Sequence, residues 1–386
     1  YQVTETLARW LLSECDGAAL ACWDREAWLA VEWVAYWHGV IPWLVDRIRG
    51  TDVHAPSDIE ARLIRLDADN RERTRRTLNN AVELLTALSA SGVEAIPLKG
   101  AVLAPLYYDD VLIRTMTDLD VLIHRQDLAR GEAVLRDLGY RFYSRSAEDV
   151  VYVRGQWRQH GWSPDNVYPV ELHYTLREEY AGLAYNLADV IWRSGARRSY
   201  WNGGQAIIPS HSALLHHVCA HATSDWLIRR GKLCQVNDIH QVVAHMNGPD
   251  WDAFAEDVAP SAARFVYPVL AFSVGYARTP VPEDVLHNLR AHVPLRLQAW
   301  AERVNIADAS RTNHLSRSGI GFDIARKLSI SAWERGGMLL RSFFPRRWNL
   351  SERYPRLIRT PLWPLCYLLL NADRLWHVLW QRFVRG

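Results

Sequence analysis

Two short stretches decide the fold: residues 94–100 read EAIPLKG, and residues 118–123 read DLDVLI. The first predicts a short strand, followed at Lys99-Gly100 by a helix that ends near Tyr108. The second predicts another strand. A strand, a helix and a second strand so close together are typical of a small α/β or α+β sheet domain.

Further elements extend this pattern on both sides. A helix is predicted to begin at Asp127 and to stop at Gly139. Three more strands are then expected, at about 140–143, 150–153 and 167–174. Apolar residues at helical spacing predict a long helix upstream at 57–91. From about residue 185 the chain is predicted to be helical again, over 211–226, 228–245 and 251–277.

The predicted fold class is α+β, with a small mixed β-sheet core flanked by N-terminal and C-terminal helical regions. Four parts are expected: an N-terminal helical region at 1–91, an α/β core at 92–175, a helical domain at 176–330 and an aromatic, Arg-rich helical tail at 331–386. The tail fits a helix packed on the protein or on a second copy, or an interfacial membrane helix. Its apolar run is too short to span a bilayer, which favours packing.

Composition excludes intrinsically disordered and collagen-like proteins. The chain has 386 residues, of which 49% are hydrophobic, and 45 Lys+Arg against 43 Asp+Glu leave a net charge of +2. A core of ordinary size is therefore expected, and near-neutrality disfavours a nucleic-acid partner. The five cysteines are scattered, which favours a reducing cytoplasm, with membrane association as the alternative.

Asp118 and Asp120 are the first candidate site residues. Side chains alternate along a strand, so both carboxylates point to the same face while the apolar residues between and after them pack on the other. Two carboxylates so close repel each other unless a cation lies between them. A hard divalent cation, Mg²⁺ or Mn²⁺, is the natural partner because it takes oxygen ligands.

Other charged residues occur at positions that suit phosphate and metal binding. Gly100 lets a phosphate approach a new helix N-terminus, where Lys99 adds a positive charge, and Arg114 is a second candidate phosphate contact. In a later predicted strand, Glu171 and His173 share one face, so Glu171 is a candidate third acid. Taken singly, each of these residues also fits a solvated surface or a packing role. Their order along the chain favours a site.

Other motifs in the sequence are absent or have simpler explanations than a second site. His217 and His221 share a helix face, but Cys219 points away, so packing is favoured over zinc binding. The sequence contains no Gly-x-Ser-x-Gly turn, no Gly-x-x-x-x-Gly-Lys-Ser/Thr loop and no Gly-x-Gly-x-x-Gly motif. These absences disfavour a serine hydrolase, a P-loop NTPase and a dinucleotide-binding protein. The Arg-rich stretch 71–76 has acids nearby and is interpreted as a solvated helix face.

The order of these residues resembles the uncharacterised nucleotidyltransferase family of the polymerase-β-like superfamily. The resemblance covers roughly residues 25–250, and residues 96–140 carry its most specific part. The matching positions are Ile96 to Gly100, Leu103, Tyr107-Tyr108, Arg114, Asp118 to Ile123, Leu138 to Tyr140, Glu171 to His173, His217, His221, Trp226, Lys232 and Asp238-Ile239. The upstream aromatic helix with Trp33, Tyr36, Trp37 and His38 is only loosely similar.

The resemblance implies a Mg²⁺-dependent transfer of NMP from an NTP to a hydroxyl or phosphate. The acceptor stays open: a small molecule, a sugar or a peptide natural product fits a chain that is close to neutral. The resemblance also implies a two-metal mechanism in which the catalytic residues and metal ligands are Asp118, Asp120 and Glu171. It implies nucleotide contacts from Lys99, Gly100, Arg114 and His173, and from Lys232 and Asp238 on the helical side. One departure is that Lys99-Gly100 stands where the superfamily usually has Gly-Gly or Gly-Ser.

Two other functions remain open from the sequence. One is a non-catalytic binding or scaffold protein on the same fold. The other is glycosyl transfer from a nucleotide sugar with the same acidic pair and a metal. Metal-dependent nucleotide turnover separates the two enzymes from the scaffold, and release of pyrophosphate separates nucleotidyl transfer from glycosyl transfer.

Overall fold

The structure is a computed structural model of the chain. It describes residues 2–12, 20, 22–155, 169–180, 183–310, 317–345, 347, 350, 354, 356–373 and 376. The first two residues of the strand predicted at 167–174 lie outside the described residues, and so do Arg346 and Trp348 of the tail.

Among the described residues, four helices precede the sheet. They are α1 (Gln2–Leu12), α2 (Arg25–Trp37), α3 (Ile41–Arg49) and α4 (Ser57–Ala90). Helix α2 begins where the Asp24 side chain accepts a hydrogen bond from the Ala27 N–H at 2.9 Å, a typical N-cap. Helix α4 ends just before Gly92, whose φ of +70° is a conformation that glycine adopts most easily. The long helix predicted at 57–91 is confirmed.

A five-stranded mixed sheet forms the centre. Its strands are β1 (Ala95–Pro97), β2 (Leu119–Ile123), β3 (Arg141–Arg145), β4 (Asp149–Val153) and β5 (Val170–His173). Their order is β1-β2-β5-β4-β3; only β2 and β5 are parallel, and the other neighbouring pairs are antiparallel. Helices α5 (Gly100–Tyr107) and α6 (Leu128–Asp137) connect the strands. The predicted α+β class with a small mixed sheet is confirmed.

The central strand β2 is buried on both faces. Leu119, Val121 and Ile123 belong to the main hydrophobic core, which includes residues of α4 and α6. Leu122 points the other way, into a second cluster that covers the acidic face of the sheet. The carboxylate of Asp120 therefore lies inside the protein, where a charge needs a partner.

The second half of the chain is mainly helical. It contains α7 (Ala188–Ser194), α8 (His211–Leu227), α9 (Leu233–Ala244), α10 (Gly248–Asp257), α11 (Ala263–Ala277), α12 (Glu283–Ala291), α13 (Leu295–Ala301), α14 (Ile306–Ala309), α15 (Arg317–Leu328) and α16 (Ala332–Phe343). The helix predicted at 251–277 is two helices, because Pro260 has no N–H and disfavours helix in the residue before it. The helix predicted at 228–245 begins only at Leu233, after Arg229 adopts a φ of +63°.

Two hairpins in this half were not predicted. Strands β6 (Arg177–Tyr180) and β7 (Leu183–Asn186) form the first, and β8 (Ala196–Ser199) and β9 (Gln205–Ile208) form the second. All four residues of β8 are exposed, and two of them are Arg. A strand of this kind has no alternation of apolar and polar residues, so its sequence carries no period-two signal.

Acid should destabilise the protein partly through His38. This residue is 2% exposed, and its Nδ1 accepts a hydrogen bond from the Leu233 N–H at 3.1 Å. Burial, with a smaller effect of Lys232, lowers the pKa of His38 from 6.5 to about 3. Below pH 6.5 the unfolded chain therefore takes up a proton that the folded chain excludes. We expect wild type to lose about 2 kcal/mol more unfolding free energy between pH 7 and pH 5 than His38→Asn.

The measurement is urea unfolding of both proteins at the two pH values. Asn keeps a hydrogen-bond acceptor near Nδ1 but does not titrate, so other buried histidines contribute equally to both proteins. Parallel pH dependences in the two proteins would contradict the expected role of His38.

Candidate active site

The pairing of β2 with β5 brings the predicted acids together. The two strands are parallel, and Asp120 lies directly opposite Glu171. Asp118 precedes β2 by one residue. The third element is the end of β1, where the Leu98 N–H donates to the Asp120 carbonyl at 3.0 Å and the chain turns at Lys99. Three strands thus place one lysine and three carboxylates around the same point.

Lys99 adopts a backbone conformation that lysine rarely takes. Its φ of 48° lies in the region that favours glycine, at the N-terminus of α5. Such a conformation costs on the order of 1–3 kcal/mol and persists only where the surroundings hold it. The Lys99 Nζ donates to Asp120 Oδ1 at 2.7 Å, and this ion pair supplies one such restraint. Lys99 therefore combines a backbone conformation that favours glycine with a lysine side chain.

Gly100 is required for a different reason. A Cβ atom built on this residue would lie 2.6 Å from Met116 Cγ, inside van der Waals contact. The absence of a side chain lets the start of α5 approach the segment that leads into β2. The junction therefore brings the N-terminus of α5 close to this segment.

Asp120 is the central acceptor of the cluster. His173 Nε2 lies 2.8 Å from Asp120 Oδ1 and 3.7 Å from Glu171 Oε2. One ligand atom each from Asp120, Glu171 and His173 lie within 4.8 Å of one another. In the described part of the chain, this is the one group of three or more such side chains close enough to share a metal ion. Asp118 is not in this group, although it was predicted as a ligand with Asp120 and Glu171.

The carboxyl groups differ in their electrostatic state. Burial and the Asp120 charge raise the pKa of Asp118. Burial, followed by the charges of Asp120 and Asp118, raises the pKa of Glu171 to about 8. Burial acts to raise the pKa of Asp120 as well, but Lys99 and His173 hold it well below its usual range. Burial acts to lower the pKa of Lys99, and the three carboxylates together raise it above its usual range. The cluster therefore holds excess negative potential even with its lysine.

A cavity of about 280 Å³ opens beside this cluster. Asp118 and Lys99 form part of its wall and connect it to the acids. Its other lining residues come from α2, α3, α4, α5, α8, α9 and neighbouring loops: Tyr36, Trp37, Gly39, Ile41, Asn70, Arg73, Gly100, Leu103, Arg114, Thr115, Met116, Thr117, Val218, His221, Asp225, Lys232, Cys234, Gln235 and Asp238. The cavity thus joins the sheet to helices from both halves of the chain.

Arg114 and Asp238 form an ion pair in this wall. The Arg114 Nε and Nη2 atoms each donate to a different Asp238 oxygen at 2.7 Å, and Nη1 donates to the Thr115 carbonyl. Tyr108 donates its hydroxyl to Asp238 Oδ1 at 2.7 Å. All three Arg114 nitrogens therefore have protein acceptors. The pair fixes the loop before Asp118 against α9.

Lys232 also lines the cavity, but its surroundings differ from those of Arg114. It is half-buried at the start of α9, and its charge acts to lower the pKa of Asp118. Within the residues that the structure describes, no carboxylate lies at ion-pairing distance from its ammonium group. Of the predicted nucleotide contacts, Lys99, Gly100, Arg114, Lys232 and Asp238 thus line one cavity, and His173 lies in the acid cluster.

Comparison with known proteins addresses the family directly. A family described as "Uncharacterised nucleotidyltransferase" matches residues 24–274. The chain belongs to this family. Membership confirms the predicted resemblance and the predicted enzyme class, a nucleotidyltransferase, and it supports an NTP and an acceptor as substrates. Among curated proteins none matches the chain.

Two solved nucleotidyltransferase-like structures are similar over part of this family member. One is the antibiotic-resistance factor ANT(2'')-Ia, with 13% identity, a TM-score of 0.35 and coverage of 47% of this chain and 89% of that one. The other is an antigenic nucleotidyltransferase-like protein from Paracoccidioides brasiliensis, with 15% identity, a TM-score of 0.35 and coverage of 56% and 93%.

The interpretation of residues 71–76 as a solvated helix face was wrong for part of the stretch. Arg73 is buried and lines the cavity of this nucleotidyltransferase. Arg71 is partly buried and pairs with Asp46, Asp67 and Asp110, which come from three parts of the chain. Only the end of the stretch, where Arg75 and Arg76 pair with Glu72, matches a solvated face.

A pattern in α4 could have revealed this burial. Polar residues recur at three- and four-residue spacing, which is the period of one helix face. The buried ones are Asp67, Asn70, Arg73, Thr74 and Thr77. A polar stripe with this period indicates a helix face that lines a polar cavity, and two of its members, Asn70 and Arg73, do so.

The two histidines of α8 form no metal site with other described residues. The rings of His217 and His221 are 6.4 Å apart, and His217 is buried. His221 instead lies 3.6 Å from Glu178 and 3.6 Å from Asp225, on the cavity side. Of the two histidines, His221 is therefore the one that lines the cavity.

Proposed function

We propose that the protein transfers NMP from an NTP to a hydroxyl or phosphate group of a small acceptor, in a Mg²⁺-dependent reaction. One observation carries the proposal: three carboxylates, in or next to the paired strands β2 and β5, converge beside a cavity whose wall includes the cationic side chains of Lys99 and Lys232. Small molecules, sugars and peptide natural products offer acceptor groups of this kind.

The residues of the cluster suit a hard divalent cation. Asp118 and Glu171 have raised pKa values because the buried charges repel each other, and a cation between them would relieve this repulsion. We assign the metal ligands to Asp118, Asp120 and Glu171, whose oxygens Mg²⁺ and Mn²⁺ prefer. When bound, the metal neutralises charge on the transferring phosphate. His173 holds the Asp120 carboxylate in place through its 2.8 Å hydrogen bond.

The transfer is a displacement at the α-phosphorus of the NTP. The acceptor oxygen forms a new P–O bond, the bond to the β-phosphate oxygen breaks, and pyrophosphate leaves. The proton of an acceptor hydroxyl passes to Glu171 Oε. A metal bound beside Glu171 would lower its pKa from the value of about 8 that burial and the neighbouring carboxylates give it, and so would keep it ionised to accept this proton.

The cavity supplies the nucleotide contacts. We assign the phosphate contact to Lys232, which no carboxylate of the described residues neutralises. Lys99 adds positive charge at the N-terminus of α5, and both Lys99 and Gly100 line the cavity. The Arg114–Asp238 pair keeps this wall rigid. Tyr36 and Trp37 give the cavity an aromatic side against which a ring can stack.

The size and charge of the cavity favour a small acceptor. Its volume of about 280 Å³ is at the lower end for a ligand pocket. The chain as a whole carries a net charge of +2, far from the basic surface that nucleic acid requires. An acceptor molecule that places one hydroxyl or phosphate group beside Asp118 fits this volume and this charge.

Titration calorimetry with the four NTPs tests the proposal. We expect at least one NTP to bind wild type in the presence of Mg²⁺ and to show no measurable binding when EDTA removes the metal. The Lys232→Gln variant should bind that NTP roughly tenfold to a hundredfold more weakly, because a charged hydrogen bond is lost.

A matched control is Arg290→Gln, which removes an exposed cation from α12 and should leave binding unchanged. Pyrophosphate release with a candidate acceptor then identifies the reaction. Binding of NTP that ignores Mg²⁺, or release of a nucleoside diphosphate in place of pyrophosphate, would contradict nucleotidyl transfer by this site.

A further inference from the structure

Helix α16 presents an apolar stripe to solvent. Trp333 is 92% exposed, and Leu340, Phe343 and Phe344 are each more than half exposed. These residues follow one another at helical spacing along a single face. The opposite face, with the buried Met338, packs on the protein. A surface helix normally has the reverse arrangement, with its apolar face inward.

A second helical segment, residues 365–373, repeats this arrangement. Leu365, Leu368 and Leu369 are exposed at positions i, i+3 and i+4, and Leu368 reaches 68%. Cys366 and Leu370 point inward and form a small core with Leu350 and Ile358. The tail therefore has its own interior and still leaves an outward apolar surface.

Ion pairs and hydrogen bonds fix which face points outward. Arg264 of α11 is buried, and its Nη1 lies 3.0 Å from Glu334 on the inner side of α16. The two tail helices are joined where Asn371 Nδ2 donates to the Phe343 carbonyl at 3.0 Å. Tyr367 donates its hydroxyl to the Pro345 carbonyl, also at 3.0 Å. Rotation of either helix to hide its apolar stripe would break these contacts.

Charge in the tail is strongly asymmetric. Residues 331–386 contain ten Arg and three acidic residues, a net charge of +7, whereas residues 1–330 carry a net charge of −5. Exposed Arg341, Arg347, Arg356 and Arg359 belong to the same segment as the exposed apolar side chains. The surface therefore combines aromatic, aliphatic and cationic groups.

We propose that the exposed apolar faces of residues 332–344 and 365–373, together with the exposed Arg341, Arg347, Arg356 and Arg359, bind the surface of an anionic lipid bilayer. Aromatic and aliphatic side chains enter the region between headgroups and acyl chains, and Arg side chains attract anionic headgroups. In the part of the chain that the structure describes, no helix is long and apolar enough to cross a membrane. The tail therefore lies on the bilayer surface. This inference does not depend on the reaction at the acid cluster.

A second copy of the chain is a poorer occupant of this surface. A twofold interface brings the same patch of each copy together, so two segments with a net charge of +7 would face each other. Like charges at an interface cost free energy, whereas an anionic bilayer neutralises them. The charge therefore selects the bilayer over the dimer.

Vesicle flotation of the full-length protein tests the inference. We expect it to float with vesicles of equal parts phosphatidylcholine and phosphatidylglycerol and to stay unbound with phosphatidylcholine alone. The triple variant Arg341→Gln, Arg356→Gln, Arg359→Gln should lower partitioning onto anionic vesicles by about a hundredfold, since each Arg contributes roughly fivefold. High salt should weaken binding of wild type in the same way.

The apolar contribution is tested by Trp333→Ala with Leu340→Ala, which should also lose flotation. The matched control replaces three exposed Arg residues elsewhere, Arg25, Arg62 and Arg290, with Gln and should float like wild type. Circular dichroism checks that each variant is folded.

Two results would overturn the inference. One is equal flotation with neutral and anionic vesicles, or flotation with neither. The other is a dimer in sedimentation velocity that Trp333→Ala with Leu340→Ala dissociates, because the apolar stripe would then be covered by a second copy.

Discussion

The Asp118→Asn variant is expected to lose nucleotidyl transfer by a thousandfold or more while remaining at least as stable as wild type. The amide keeps the shape of the side chain but removes a proposed metal ligand, and transition-state charge stabilisation of this kind is worth on the order of a thousandfold. The variant should stay stable because the Asp118 charge is unfavourable in the folded protein, where burial and the Asp120 charge raise its pKa. Pyrophosphate release and thermal unfolding measure the two effects.

The control is Asp109→Asn, which neutralises an exposed carboxylate a few residues upstream and should change neither quantity. Activity retained in Asp118→Asn would remove this residue from the proposed mechanism. Lost activity together with a marked loss of stability would show instead that Asp118 has a structural role.

The Asp120→Asn variant, unlike Asp118→Asn, should lose stability as well as activity. We expect its unfolding free energy to fall by about 3–5 kcal/mol. Asp120 is 2% exposed and accepts the Lys99 ammonium at 2.7 Å. Without this carboxylate the largely buried ammonium loses its direct ion-pair partner, and an unpaired buried charge costs about that much. Urea unfolding in the absence of divalent metal measures the loss.

The double variant Lys99→Met/Asp120→Asn tests whether the unpaired Lys99 charge causes this loss of stability. Removing both charges should recover most of the stability, so the two single effects should not add. An additive double variant would mean that the destabilisation of Asp120→Asn does not arise from the unpaired Lys99.

Local sequence patterns predicted that Asp120 and Glu171 each point to the polar face of a strand, but they could not predict the opposite wall of the cavity. Alternation along two strands placed Asp120 and Glu171 on one face, and pairing of those strands is enough to bring them together. The Arg114–Asp238 ion pair joins residues 124 positions apart. No local period encodes such a contact, which depends on how α9 packs against the loop before Asp118.

Errors in the prediction also have physical causes. The stretch around Arg73 was interpreted from its charges, but burial depends on what packs against a helix. The β8–β9 hairpin was missed because the exposed strand β8 has no apolar alternation. Asp120, which has a strong local signal, has its direct charged partners on adjacent strands: Lys99 at the end of β1 and His173 in β5.

The composition of the cavity wall bears on how such a protein can change over evolutionary time. The acids lie on a compact sheet, whereas most of the opposite wall is contributed by α2, α4, α8 and α9, which come earlier and later in the chain. Substitutions at positions such as Tyr36, Asn70 or Gln235 can reshape the pocket without touching the sheet. A lineage could therefore explore new acceptors while its chemistry stays intact, and laboratory libraries for altered selectivity should be concentrated on these helices.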